Sequence, residues 1–447
     1  MIIFISDLHI SDGTAGPPNI HHRAYEGTFE TINQMANDAN AKEVTVVLLG
    51  DIFELIRTSV WYKTAEEFKP WGGWKSEEVA TKIFDDIIKD PAFNSLGKFQ
   101  FRNLKANKDI PTRWVYLPGN HDRLIGMYPK LQERVKNLLN LDDWSFKDGR
   151  FIRYFYESEH KVFARHGHEF DVYNFGGVAP FKAETWEEIS DNDYYGTPIG
   201  DVIAAEFASA LPCAVWENLG GEGNPPDEPL YRRLKDMFDL RPITAIPAFL
   251  AYQVQNAETE EIQVAITDAV HARVKYMRES PFVKDWIDAH DEWEKPFDAG
   301  DKIQAVMALL NHLDLAAAKQ ILPSVNFGMQ FMQKKDNFLS DAALEYERLK
   351  SEDSPGQDVL HVLYGHTHHP DQELVSVTDP GPEGRPQVYI NTGMWRPSQH
   401  AGKTDGFTSI KHLTYSIVYS PHERPNSEGK PKGYPTFEVW TGALKDD

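Results

Sequence analysis

The stretch Tyr364-Gly365-His366-Thr367-His368-His369-Pro370 follows the apolar run Val359-Leu360-His361-Val362-Leu363. Imidazoles one residue apart on a curved loop can turn inward together and bind a metal ion, and the glycine lets backbone approach another object closely. On its own the stretch also fits a solvated histidine cluster. Other segments repeat its grammar. Met1-Ile2-Ile3-Phe4-Ile5 leads to Asp7 and His9, and Glu43 to Leu49 leads to Gly50-Asp51. Thr112 to Leu117 leads to Gly119-Asn120-His121-Asp122, and Lys161 to Ala164 leads to His166-Gly167-His168. Carboxylates, an amide and imidazoles are the donors of a mixed oxygen and nitrogen metal site, which suits Mn, Fe or Zn better than Ca.

The elements that must position these groups are buried strands. Continuous apolar runs are the signature of strands covered on both faces, and open α/β sheets bind ligands beyond the carboxyl ends of their strands. Five strands that each end in Asp, Asn or His can therefore converge on one point.

Asp7-Leu8-His9, Gly50-Asp51, Gly119-Asn120-His121-Asp122, His166-Gly167-His168 and Gly365-His366-Thr367-His368 resemble, in order, the five motifs of the calcineurin-like metallophosphoesterases. The resemblance covers about the first 170 residues and the last 90. It implies an α/β fold, a four-layer α-β-β-α sandwich of two mixed sheets flanked by helices. It implies two divalent ions, with Asp7, His9, Asp51 and His368 on one, and Asp51, Asn120, His166 and His366 on the other. Two such ions roughly 3.5 to 4 Å apart can clamp a phosphate and hold a hydroxide for in-line attack. Carried over in the same way, His121 donates a proton to the leaving oxygen and Glu54, three residues beyond Asp51, orients it. In His166-Gly167-His168 the first imidazole is the expected ligand. His168 is left for substrate or supporting contacts, and Asp171 can accept from either ring. Arg123 and Arg165, which adjoin motif residues, and His22 in the loop after the first motif are candidates for contacting the ester, with solvation the alternative for His22.

Composition narrows the class. The 447 residues allow two to three domains, and one cysteine, Cys213, excludes an internal disulfide. The first apolar run is too short for a signal peptide and no segment reads as a transmembrane helix, so the expected location is cytoplasmic. A formal net charge of -22 disfavours a nucleic-acid partner, because nonspecific binders present a basic footprint.

Between the fourth and fifth motifs the pattern changes. Ile262, Ile266, Val270, Val274 and Met277 fall at helical spacing, as do Ile303, Val306, Met307 and Leu310, and Leu344 to Leu349 suggests a further helix. The spacing predicts a mainly helical insertion over 173–355, flanked by core segments 1–172 and 356–447, standing over the site as a cap. The apolar stretch Pro242 to Leu250 reads as interior, as an oligomer contact, or as the lining of a pocket for an acylated substrate. The expected activity is that of a phosphodiesterase or pyrophosphatase on a small organic phosphoester, with Mn the first choice of metal. A phosphomonoesterase, a nuclease of the same family and a non-catalytic scaffold are the alternatives, and the complete motif set argues against the last.

Overall fold

The computed structural model describes residues 1–72, 75–177, 186–240, 245–291, 298–312, 338–378, 384–401, 406–423 and 433–443. The apolar runs form strands β1 (Ile2–Ile5), β2 (Val44–Leu49), β3 (Thr112–Leu117), β4 (Phe155–Glu157), β5 (Val162–Ala164) and β6 (His361–Tyr364). The later β-rich region adds β7 (Pro370–Thr378), β8 (Arg385–Thr392), β9 (Pro397–Ala401), β10 (Phe407–Tyr419) and β11 (Thr436–Ala443).

Among the described residues these strands make two mixed sheets. The first has the order β9-β10-β1-β2-β3, with β11 also paired to β10. Its β1, β2 and β3 run parallel, and β10 returns antiparallel to β1. The second has the order β7-β8-β6-β5-β4, parallel across β8, β6 and β5 and antiparallel at both edges.

Side-chain alternation along each strand sets the layers. Ile2, Phe4, Val47, Leu49, Val115 and Leu117 of the first sheet pack on Phe155, Val162, Ala164, Leu363, Val388 and Ile390 of the second. The alternate residues Ile3, Ile5, Val46, Leu48 and Tyr116 join Tyr25, Phe29 and Ile32 of helix His22–Asp38 and Ile83, Phe84 and Ile87 of helix Glu77–Ile87. On the far side, Ala342 and Tyr346 of helix Phe338–Arg348 cover Phe163, Val362, Tyr364 and Tyr389. The result is the expected four-layer sandwich. Helix Phe338–Arg348, placed by sequence pattern inside the insertion, supplies its outermost layer.

The insertion is helical over its described parts. In helix Glu260–Glu279 the Thr259 hydroxyl accepts from Ile262 N at 3.2 Å, with Glu260 and Glu261 in the first turn and Arg278 in the last, charges that suit the helix dipole. Helices Ile246–Gln255, Pro281–His290 and Ala299–Asn311 pack with it, and their buried Phe249, Val270, Val283 and Ile303 share one hydrophobic cluster with the outer face of the first sheet. The insertion is thus fused to the core. Of the apolar stretch, Pro242 to Thr244 lie outside the described residues, while Ile246, Ala248, Phe249 and Leu250 are buried in that cluster, which makes them interior. Asp191–Asn218 is long and apolar enough to cross a membrane by length and composition, contrary to the sequence reading, but 78% of its apolar window is buried inside the protein, as in a core helix.

Phe29 is a test of the helix-to-sheet layer. Its buried ring stacks on Phe99 at 5.4 Å and meets Trp114 edge-on at 5.6 Å. Phe29→Ala is expected to cost about 3–5 kcal/mol, read as a lowered urea midpoint with unchanged slope.

Candidate metal centre

The chain turns sharply where the strands end. Asp7, His9, Asp51, His366 and His368 have φ of 54°, 43°, 53°, 68° and 63°, in the left-handed region that residues other than glycine seldom adopt. Such conformations persist when the surroundings over-determine them, and they cluster at functional sites. Here the backbone is fixed by Asp7 N donating to Gly50 O at 3.1 Å, His9 N to Asp51 O at 2.9 Å and Gly365 N to His166 O at 2.9 Å. Two motif glycines are explained by close approach. A Cβ on Gly119 would stand 2.3 Å from Asp51 Oδ1, and one on Gly365 would stand 2.7 Å from Asp7 Oδ2.

Each buried aspartate divides its oxygens. Asp7 Oδ2 accepts from the Ser6 hydroxyl and from His366 N, whereas its Oδ1 is buried with no hydrogen-bond donor among the described residues and lies 3.3 Å from His368 Nε2 and 3.7 Å from His9 Nε2. Asp51 Oδ1 accepts from His121 N at 2.8 Å, and its Oδ2, likewise without a donor, lies 3.2 Å from His166 Nε2 and 3.7 Å from His9 Nε2. Asn120 Oδ1 is 3.2 Å from His166 Nε2.

The imidazoles are aimed by their other nitrogens. His9 Nδ1 donates to Glu54 Oε2 at 2.8 Å and His166 Nδ1 to the Leu49 carbonyl at 2.9 Å, so each turns Nε2 toward the carboxylates as the nitrogen that could bind an ion. His366 Nε2 donates to Asp171 Oδ2 at 2.9 Å, which leaves Nδ1 as its ligand nitrogen. Asp171 therefore supports His366, and not His166 or His168 as the sequence suggested. Asp7, His9 and His368 form one group able to hold a cation, and Asp51, His166 and His366 a second. Donorless carboxylate oxygens facing imidazole nitrogens are costly in a buried site unless positive charge sits between them, so this donor set fits two divalent ions. The charge field agrees. Burial opposes ionisation of Asp51, but His166, His121 and His9 outweigh it and hold its carboxyl well below the usual range. Burial likewise lowers His166, but Asp51 prevails and pulls it up to about 10, so that without a cation the ring carries a second proton, the positive charge that a bound ion would displace.

A third group, His9, Glu54 and His121, is joined by hydrogen bonds. Glu54 is fully buried, and while Oε2 accepts from His9 Nδ1 its Oε1 accepts from His121 Nδ1 at 2.8 Å. On the far side of that ring, Arg57 NH2 donates to His121 Nε2 at 3.3 Å. Burial pushes His121 down to about 4 despite Glu54, so its ring is neutral in this arrangement. Arg57, with no motif around it, was not picked out from the sequence.

Other sequence candidates have different work. Arg123 is buried, with Nε and NH2 donating to Asp201 Oδ2 at 3.0 and 2.7 Å and NH1 to the Tyr195 carbonyl at 2.9 Å, and so ties the third motif to the insertion. Arg165 is also buried, its Nε 3.0 Å from Glu345 Oε2, and so anchors helix Phe338–Arg348. Neither guanidinium is placed to meet an ester. His22 begins the first helix, half-buried with its ring tilted against His21 at 4.2 Å, with no described contact to the centre. His168 is buried, its Nδ1 3.5 Å from Glu169 Oε2 and its ring 5.0 Å from Tyr194, and burial pulls it down to about 3. It has no described polar contact with Asp51, unlike His166.

Because Asp51 Oδ2 adjoins imidazoles of both groups, Asp51→Asn is expected to lower bound Mn(II), measured by elemental analysis after loading, from about two ions per chain to one or fewer. Retention of two would show that Asp51 is not shared.

A family model for calcineurin-like phosphoesterases matches residues 1–241, more than half of the 447-residue chain. The match takes in the loops of Asp7, His9, Asp51, Asn120, His121 and His166 and runs into the insertion, ending before His366 and His368. Neither the curated proteins nor the solved structures yield a match. On the strength of that match the chain belongs to the calcineurin-like phosphoesterases, hydrolases that cleave phosphoesters with the help of metal ions.

Proposed function

We propose that the protein is a phosphodiesterase or pyrophosphatase for a small organic phosphoester, working with two divalent ions of which Mn(II) is the first choice. The observation that carries this reading is the pair of ligand groups around Asp51 Oδ2 with a histidine held by a buried carboxylate beside them. Asp7, His9, Asp51 and His368 would hold one ion, and Asp51, Asn120, His166 and His366 the other. Once bound, such ions polarise phosphoryl oxygens and acidify water.

The chain's own residues do the rest. Glu54 fixes the His121 ring through Nδ1, and Nε2, which accepts from Arg57 while the ring is neutral, is the atom that can pass a proton to the leaving oxygen once the ring is protonated. An anionic ester favours the protonated ring, because a neighbouring negative charge stabilises imidazolium. The insertion bounds the site, since Phe238 O accepts from Arg57 and Asp239 is paired with Arg396, whose NH1 donates to His9 O at 3.2 Å. A bounded site supports a defined small molecule over a polymer, and the net charge of -22 weighs against nucleic acid.

The deciding assay is hydrolysis of bis-p-nitrophenyl phosphate and p-nitrophenyl phosphate by Mn(II)-loaded protein. Faster cleavage of the diester is expected. Faster monoester cleavage would make the protein a phosphomonoesterase, and inertness of loaded protein on both would refute the proposal. His121→Ala should keep its metal and lose about 10²–10⁴ in kcat, most with poor leaving groups. Metal loss in that variant would contradict the acid role.

A further inference from the structure

Arg57 stands beside the atom that serves the leaving group, and it is held there. Its NH1 donates to Phe238 O at 2.9 Å, its NH2 to His121 Nε2 at 3.3 Å, and its Nε lies 3.9 Å from Glu54 Oε2. The guanidinium lies over the Phe238 ring at 4.8 Å, and that ring also contacts Arg396 at 4.5 Å. The side chain is only 12% exposed. A guanidinium offers five N–H donors. One hydrogen on NH1 and one on NH2 have no partner among the described residues, so two donors of a pre-placed cation remain next to His121 Nε2.

We infer that Arg57 receives an anionic leaving group, and that the substrate class is a P1,P2-disubstituted diphosphate, cleaved at its phosphoanhydride. This rests on the assignment of His121 to the leaving side. The argument is chemical. A departing alkoxide needs a proton, which one imidazole can give. A departing phosphate monoester brings negative charge on several oxygens, and a fixed planar guanidinium matches those oxygens with paired, charge-assisted hydrogen bonds. A departing alkoxide carries its charge on one oxygen and matches such a fork less well. In the reaction a water oxygen bonds to one phosphorus and the bond from that phosphorus to the bridging oxygen breaks. The electron pair stays on the bridging oxygen, which departs with the second phosphoryl group. Water keeps one hydrogen on the first product, and its other proton goes to the departing oxygen or to solvent. The products are two phosphate monoesters.

The test compares diphenyl pyrophosphate with bis-p-nitrophenyl phosphate. These leave as phenyl phosphate and p-nitrophenolate, groups of similar basicity that differ in how their charge is carried. Arg57→Gln is expected to lower kcat/KM for the pyrophosphate about 100-fold, and at least about ten times more than for the diester, with Arg57→Lys recovering part of the difference. Calorimetry with diphenyl methylenediphosphonate, a non-reacting isostere, should show weaker binding to the Gln variant at unchanged metal content. Equal losses on the two substrates, or unchanged isostere binding, would overturn the inference and reduce Arg57 to a support for His121 and Phe238. Wild-type activity on the diester with none on the pyrophosphate would sink the inference alone, whereas a wild type inert on both would sink the phosphoesterase proposal as well.

Discussion

Two carboxylate oxygens, Asp7 Oδ1 and Asp51 Oδ2, are buried without a hydrogen-bond donor among the described residues and face imidazole nitrogens. A folded chain seldom tolerates such atoms, because burying unpaired charge costs several kcal/mol. The surrounding architecture exists to hold that arrangement. Both sheets are parallel at their centres, so that five strands deliver their carboxyl ends to one edge of the sandwich. The left-handed turns at Asp7, His9, Asp51, His366 and His368 and the glycines at 119 and 365 are the local geometry that lets the ends converge.

Convergence also explains the order of the chain. Asp7 comes from the first strand and His366 and His368 from the loop after β6, yet Asp7 Oδ2 accepts from His366 N at 3.0 Å. The two sheets meet through that contact as well as through the apolar layer between them. The insertion joins the same centre from outside, through Arg57 and Phe238 on one flank and Arg396 and Asp239 on the other. Its buried helices continue the hydrophobic cluster of the first sheet, which makes that flank a packed wall.

Much of this was legible in the sequence because the signals are local. Strands such as Val44–Leu49 announce themselves as apolar runs, and the donors follow within a few residues of each strand end. What escaped depends on contacts between distant segments. Nothing around Arg57 marks it, since its partners lie at 121 and 238. Asp171 turned to His366, across 195 positions, rather than to the nearer histidines. Arg123 and Arg165 adjoin motif residues yet point into buried ion pairs with Asp201 and Glu345, which spacing along the chain cannot foretell. Helix Phe338–Arg348 has the same periodicity as the insertion helices, and only the face it covers assigns it to the sandwich.

Glu54 gives one oxygen to His9 and the other to His121. In the proposed roles, the nitrogen that His9 would offer to an ion and the tilt of the ring that would pass a proton are therefore set by the same carboxylate. Shifting that carboxylate toward either ring moves it from the other, so cation affinity and proton delivery share one mechanical adjustment.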